Sequence, residues 1–172
     1  MALRAAAALL MLSGVIVPVA GAAGTVDERV RSNARERTYT LHVPASASGT
    51  SAPVVVLLHG SGGRSREMVR LWTPLAEAEG IVLVAPSSLE EDAWQLQADG
   101  PQLFHDILDD VAARHAIDRR RVYLFGHSGG GVYALTLGLI QSEYFAAVAV
   151  HGGAWRDPGS FAALGLATRK IP

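Results

Sequence analysis

The chain has 172 residues, a formal net charge of −1, 49% hydrophobic and 18% charged residues, and no cysteine. So apolar a composition excludes a disordered segment, and the slightly acidic balance excludes a binder held to nucleic acid by phosphate contacts. Without a thiol there is no disulfide scaffold, thiolate metal site or cysteine nucleophile.

Residues 1–22 read as a secretory signal peptide. One positive charge, Arg4, precedes an apolar run over 5–17, and Pro18 and the small residues Ala20, Gly21, Ala22 and Ala23 follow. Cleavage is expected after Ala22, leaving one domain over 23–172 in an exported protein, secreted or periplasmic. The competing reading, a membrane span, fails on length: the run has about 13 residues where a spanning helix needs ~20. No cysteine stands at the cut to carry a lipid anchor.

Beyond the leader, the pattern alternates. Residues 37–43 (RTYTLHV) alternate polar and apolar as a half-buried strand does, and Pro44 ends the run. Residues 53–59 (PVVVLLH) form a β-branched run suited to a strand covered on both faces. Met68, Leu71, Trp72 and Leu75 fall at i, i+3, i+4 and i+7, and Thr73-Pro74 divides this helical stretch into two short helices that Gly80 stops. Residues 81–85 (IVLVA) predict the next buried strand, halted by Pro86. A loop over 87–100, rich in Ser and acids, carries Trp94. Residues 101–115 predict an amphipathic helix with Leu103, Phe104, Ile107, Leu108 and Val111 inside and Asp106, Asp109 and Asp110 on the wet face. Residues 118–120 form a charged turn and 122–125 a buried strand. Residues 126–131 then open a helix to about Gln141, and 145–150 (FAAVAV) make the last strand. Strands alternating with helices through short loops predict a three-layer α/β domain with a mostly parallel sheet.

Gly126-His127-Ser128-Gly129-Gly130 fits G-x-S-x-G with a strand before it and a helix after it. That turn presents the serine hydroxyl at the carboxyl edge of the sheet in a strained conformation. The spacing of the glycines has a steric reason: strand and helix approach so closely that a Cβ at Gly126 or Gly130 collides. The helix N-terminus aims free N–H groups at any oxyanion formed beside Ser128. A nucleotide-binding turn is the competing reading; it lacks both G-x-G-x-x-G at the first strand and a lysine after the glycines. A second motif, His59-Gly60-Ser61-Gly62-Gly63, follows the 53–59 strand, where the backbone N–H of Ser61 pairs with that of Gly129 as an oxyanion hole.

With these motifs the chain resembles the α/β-hydrolase superfamily, and within it the secreted esterase branch that includes polyhydroxybutyrate depolymerases of the LpqC type and feruloyl or acetylxylan esterases. The resemblance rests on residues 37–44, 54–63, 80–86, 118–122, 126–131 and 145–150 and covers essentially the whole mature chain. It implies a serine esterase whose Ser128 attacks an ester carbonyl of a small-molecule or polymeric substrate, passing through an acyl-enzyme without cofactor or metal. The family's chain order is nucleophile, acid, histidine. Only His151, Glu143 and Asp157 follow Ser128 as candidates, none at the family's positions, so the acid and histidine are expected beyond residue 172 and the fold is expected to lack its C-terminal strands. His151, with Asp157 six residues on, is a weaker candidate base, and more simply lines the site.

The remaining polar residues read structurally. His59 orders the oxyanion loop, His127 shapes and packs the elbow, and His42, His105 and His115 are solvated or helix-face residues; no two of the six histidines have a metal-ligand spacing. Arg119, Arg120 and Arg121 are surface charges, too few for a nucleic-acid patch. Trp94 and Trp155 follow strand ends on the catalytic edge, as substrate walls or as core. Two further functions fit the same scaffold: a binding protein without turnover, and a peptidase or acyltransferase. An unpaired 145–150 strand is an aggregation hazard.

Overall fold

The computed structural model describes residues 23–47, 49, 51–156 and 158–172. The signal peptide read at 1–22, and Asp157, lie outside the described residues. Among the described residues no helix is long and apolar enough to cross a membrane.

The strands are β1 (Gly24–Ser32), β2 (Arg35–Val43), β3 (Ala52–Leu58), β4 (Val82–Pro86), β5 (Ile117–His127) and β6 (Ala147–His151). They form one sheet in the order β1-β2-β4-β3-β5-β6. The β1–β2 and β2–β4 pairs are antiparallel, and β4, β3, β5 and β6 run parallel. The helices are α1 (Ser65–Glu79), α2 (Pro101–Arg114) and α3 (Gly129–Ile140).

Side-chain parity explains the three layers. Val54, Val56, Leu58, Val82 and Val84 point to the face covered by α2 and α3, where Leu103, Phe104, Ile107, Leu108, Val111, Ala134 and Leu137 complete the cluster. Their neighbours Val55, Leu57, Leu83 and Ala85 point the other way, onto Met68, Val69 and Ala76 of α1. With neither face wet, β3 and β4 are continuous apolar runs rather than alternating ones.

Four expectations are corrected. The chain contains β1, which the sequence reading left unassigned. It is an edge strand with mostly exposed side chains, joined to β2 by Asn33 and Ala34 at φ 47° and 62°, the paired positive values of a two-residue hairpin turn. The two short helices are one: α1 runs through Pro74, and the Thr73 hydroxyl bonds the Val69 carbonyl at 2.8 Å in the turn where the proline offers no N–H. Its buried face is Met68, Val69 and Ala76 with Trp72 packed on Phe125 (centroids 4.7 Å apart), whereas Leu71 and Leu75 are exposed. Residues 118–120 are not a turn between elements. They lie inside β5, where pairing with β3 jumps from Ala52↔Ile117 to Val54↔Val122, and the charged residues bulge outward with Asp118 bonded to Arg120 and Arg121. Finally, His42 is buried, its Nδ1 2.8 Å from the Thr25 hydroxyl and its Nε2 3.1 Å from Glu77.

The long loop after β4 is pinned by a buried ion pair. Arg37 of β2 donates to Asp99 (2.6 Å) and to the carbonyls of Ala98 (2.8 Å) and Ser87 (2.9 Å). Asp99 also accepts the Leu89 and Gln95 N–H groups, each at 2.9 Å. Both terminal guanidinium nitrogens and both carboxylate oxygens are thereby hydrogen-bonded, which offsets the cost of burying two charges.

Candidate active site

Ser128 sits between β5 and α3 at φ 52°, ψ −118°, with its side chain exposed. A non-glycine residue at positive φ outside the helical region costs on the order of 1–3 kcal/mol and is held only where its surroundings fix it. Here its N–H donates to the His151 carbonyl at 2.8 Å, and its carbonyl accepts from Gly131 (2.9 Å) and Val132 (3.1 Å). The close approach read from the motif is present. A Cβ on Gly126 would lie 2.7 Å from the Gly131 Cα, and one on Gly130 would lie 2.6 Å from the Leu58 carbonyl oxygen.

The loop after β3 lies against this elbow. A Cβ on Gly60 would be 3.2 Å from the Ser128 Cβ, and one on Gly129 would be 3.3 Å from the Ser61 nitrogen. The Gly63 N–H donates to the Gly60 carbonyl at 2.9 Å and the Gly62 N–H to the Glu91 carbonyl at 3.1 Å. The Ser61 and Gly129 N–H groups have no acceptor among the described residues. Two free amides therefore flank the serine side chain, one of them at the positive end of α3.

His59 holds that loop in place. It is buried, its Nδ1 is 2.8 Å from the Gly60 carbonyl, and its Nε2 accepts the Ser88 N–H at 3.3 Å. A carbonyl only accepts and a backbone N–H only donates, so the ring hydrogen is on Nδ1. Trp94 closes the back: its indole N–H bonds the His59 carbonyl at 2.9 Å, and its ring packs on His59 and Tyr133. Trp94 thus stands in the core behind the loop. Ser88, Asp99 and Arg37, which fix the loop facing His59, are the site's supports that no motif announced.

The other two imidazoles form a pair. His127 and His151 are register partners on β5 and β6, with Nδ1 atoms 2.9 Å apart and both side chains exposed. Among the described residues no imidazole is hydrogen-bonded to the Ser128 hydroxyl. Trp155 is half-buried against Phe161 (centroids 5.6 Å apart), and its indole nitrogen has no partner among the described residues.

Two cavities meet at the loop. One of about 300 Å³ is lined by residues 59–64 with Glu67, Met68, His127 and Ser128. The other, about 660 Å³, shares His59, Gly63 and Arg64 and is walled by hydroxyls, among them Thr40, Ser65, Ser87 and Ser88. Thr40, Ser65 and Ser87 are linked hydroxyl to hydroxyl at 3.0 and 3.2 Å. At its rim the Arg66 guanidinium, followed by the Thr40 hydroxyl, holds the Asp27 carboxyl below the usual carboxylate range. The arrangement presents an exposed serine hydroxyl, two amide donors and a cavity walled in part by hydroxyls beside them.

Relatives share this architecture. The NocK protein of Nocardia uniformis subsp. tsuyamanensis, which bears an esterase's name, is 31% identical over 155 residues, 82% of this chain and 44% of its own length. The bifunctional acetylxylan esterase/xylanase XynS20E of Neocallimastix patriciarum is 28% identical over 113 residues, 63% of this chain and 17% of its own. The crystal structure of LpqC, a poly(3-hydroxybutyrate) depolymerase from Bordetella parapertussis, superposes with a TM-score of 0.61 at 26% identity, covering 74% of this chain and 51% of that one. The chain spans less than half the length of these curated relatives. A model of the alpha/beta hydrolase family matches residues 55–172, from within β3 through both glycine motifs, and the chain belongs to that family.

Proposed function

We propose that the chain carries the nucleophile and oxyanion hole of a serine esterase acting on carboxylic esters. The Ser128 oxygen adds to the ester carbonyl carbon while its proton passes to a general base, which the family's order places later in the chain. The carbonyl oxygen takes the negative charge between the Ser61 and Gly129 N–H groups. The alcohol leaves with a proton, and water then cleaves the acyl-enzyme to free the acid and Ser128. The observation that carries this reading is the exposed Ser128 at φ 52° beside two amide donors without acceptors. The hydroxyl-lined cavity next to it supports a polar, oxygen-rich ester, small or polymeric. The leader pattern at 1–22 supports export to the periplasm or beyond.

The test is incubation of the full-length protein, carrying this chain together with its general base, with p-nitrophenyl acetate. Release of p-nitrophenolate with an acetyl adduct on the peptide containing Ser128, both lost in Ser128→Ala, is the expected result. A folded sample giving neither product refutes the esterase reading and leaves a binding role on the same scaffold. Faster cleavage of a peptide amide than of the ester would move the assignment to a peptidase.

A further inference from the structure

The mechanism above leaves one cluster unused, the His127–His151 pair. Their ring planes lie within 19° of each other, the centroids are 5.1 Å apart, and 2.9 Å of that separates the two Nδ1 atoms. The imidazoles therefore meet nearly end to end, sharing one hydrogen: one Nδ1 carries it, the other offers a lone pair. We propose that this pair is a two-imidazole binding site for a late first-row divalent metal ion, with Zn²⁺ as the test case, beside Ser128.

The spacing is close to that of a chelate, and the ring directions are reached by turning each imidazole about 35° from the end-to-end line towards the tetrahedral angle. Two nitrogens bound to Zn²⁺ at about 2.0–2.1 Å and meeting at the tetrahedral angle stand about 3.3–3.4 Å apart. The observed 2.9 Å falls short of that by only about half an ångström. Both side chains are exposed at the carboxyl ends of adjacent parallel strands, which leaves the rings room to turn and open through their side-chain torsions. Metal binding replaces the shared hydrogen: the acceptor ring already carries its hydrogen on Nε2, the donor ring gives its Nδ1 proton to solvent and takes one from solvent on Nε2, and both Nδ1 lone pairs go to the metal. Among the described residues no group of three or more His, Cys, Asp or Glu side chains converges on a metal, so water completes the coordination. Imidazole donors favour Cu²⁺, Ni²⁺ and Zn²⁺ over Mg²⁺ or Ca²⁺.

Three of the other four imidazoles are committed elsewhere. His59 is bonded to Gly60 and Ser88, His42 to Thr25, and His105 to Gln141 beneath a stacked Tyr144. A metal on His127 and His151 would border the cavity of about 300 Å³ that His127 shares with Ser128.

The test is calorimetric titration of the chain with ZnCl₂, a readout independent of turnover. One Zn²⁺ per chain is expected, with affinity reduced on the order of tenfold or more in His127→Asn and in His151→Asn. Ser128→Ala and His105→Asn are expected to bind Zn²⁺ as the unaltered chain does. Equal binding by a His127→Asn/His151→Asn double variant overturns the proposal. A second measurement needs no substitution: Zn²⁺ is expected to protect His127 and His151 from diethylpyrocarbonate, mapped by mass spectrometry. Modification of both rings at an unchanged rate under saturating Zn²⁺ would equally overturn it.

Discussion

Replacing Gly130 by alanine tests the elbow where it is tightest. The new methyl carbon would stand 2.6 Å from the Leu58 oxygen and 2.8 Å from the Leu58 carbon, and it also meets the His59 oxygen. All three are backbone atoms at the end of β3, so no side chain can swing away. Carbon needs roughly 3.5 Å from such atoms, and α3 must therefore recede from β3 by about 1 Å. Overpacking of this kind costs about 1–3 kcal/mol, which for a domain of this size lowers Tm by roughly 3–10 °C. The chemistry suffers more than the fold. The Gly129 N–H rides on the first turn of α3, and a donor displaced by about 1 Å from the oxyanion costs on the order of 10² in rate. Thermal melting by circular dichroism and p-nitrophenyl acetate turnover would be read on Gly130→Ala and on Gly165→Ala, where an added Cβ meets nothing within 4 Å. If the two variants melt and turn over alike, β3 and α3 do not approach as described.

Further outcomes follow from the supports of the site. Asp99→Ala leaves the Arg37 guanidinium buried without its carboxylate and is expected to cost about 3–5 kcal/mol, read as a lower urea midpoint. His59→Ala frees the Gly60 carbonyl and the Ser88 N–H and is expected to cost about 1–3 kcal/mol, with ester turnover falling through kcat rather than KM. The Asp27 carboxyl is held low by Arg66, so its contribution is complete above the ordinary carboxylate value of about 3.9 and is lost as pH falls below it. The stability gap between the unaltered chain and Arg66→Gln is therefore expected to hold from pH 6 down to about pH 4, to close only as pH falls further, and to shrink with salt because the pair is exposed. Val150 on the edge strand β6 is an exposed apolar side chain, and Val150→Lys is expected to reduce association in sedimentation runs.

What the sequence shows clearly is set by steric rules that act over a few residues. The buried strands β3 and β4 are continuous apolar runs because both faces are covered, and their β-branched residues and short length set them apart from the apolar helix α3. The elbow is legible for a related reason: Gly126 is dictated by contact with Gly130 and Gly131 within one turn, and Gly130 by the close approach of α3 to the end of β3 that this turn imposes. Where the rule is weaker the reading fails. The strand β1 lies at the sheet edge with little to bury, so its residues obey solubility rather than packing, and its turn uses Asn33-Ala34 where Asn-Gly is the usual signal. Pro74 breaks an isolated helix, but in α1 the loss of one N–H is outweighed by a buried face that spans it.

The supports of the oxyanion loop belong to a third kind of information. Arg37 and Asp99 are 62 positions apart and His59 and Ser88 are 29 apart, yet each pair is joined because β2, β4 and β3 are neighbours in the sheet. Hydrogen bonds across a sheet edge carry no period, and a lone Arg in a strand or Asp in a loop has the same composition whether it is solvated or buried. The reactive atom can therefore be read from five consecutive residues. The rigidity that keeps Ser61 opposite Gly129 depends on strand order, and strand order becomes visible only when the chain is folded. For that reason substitutions at Asp99 and His59, though neither residue reaches a reacting atom, are expected to disturb ester turnover through the same displacement of the loop.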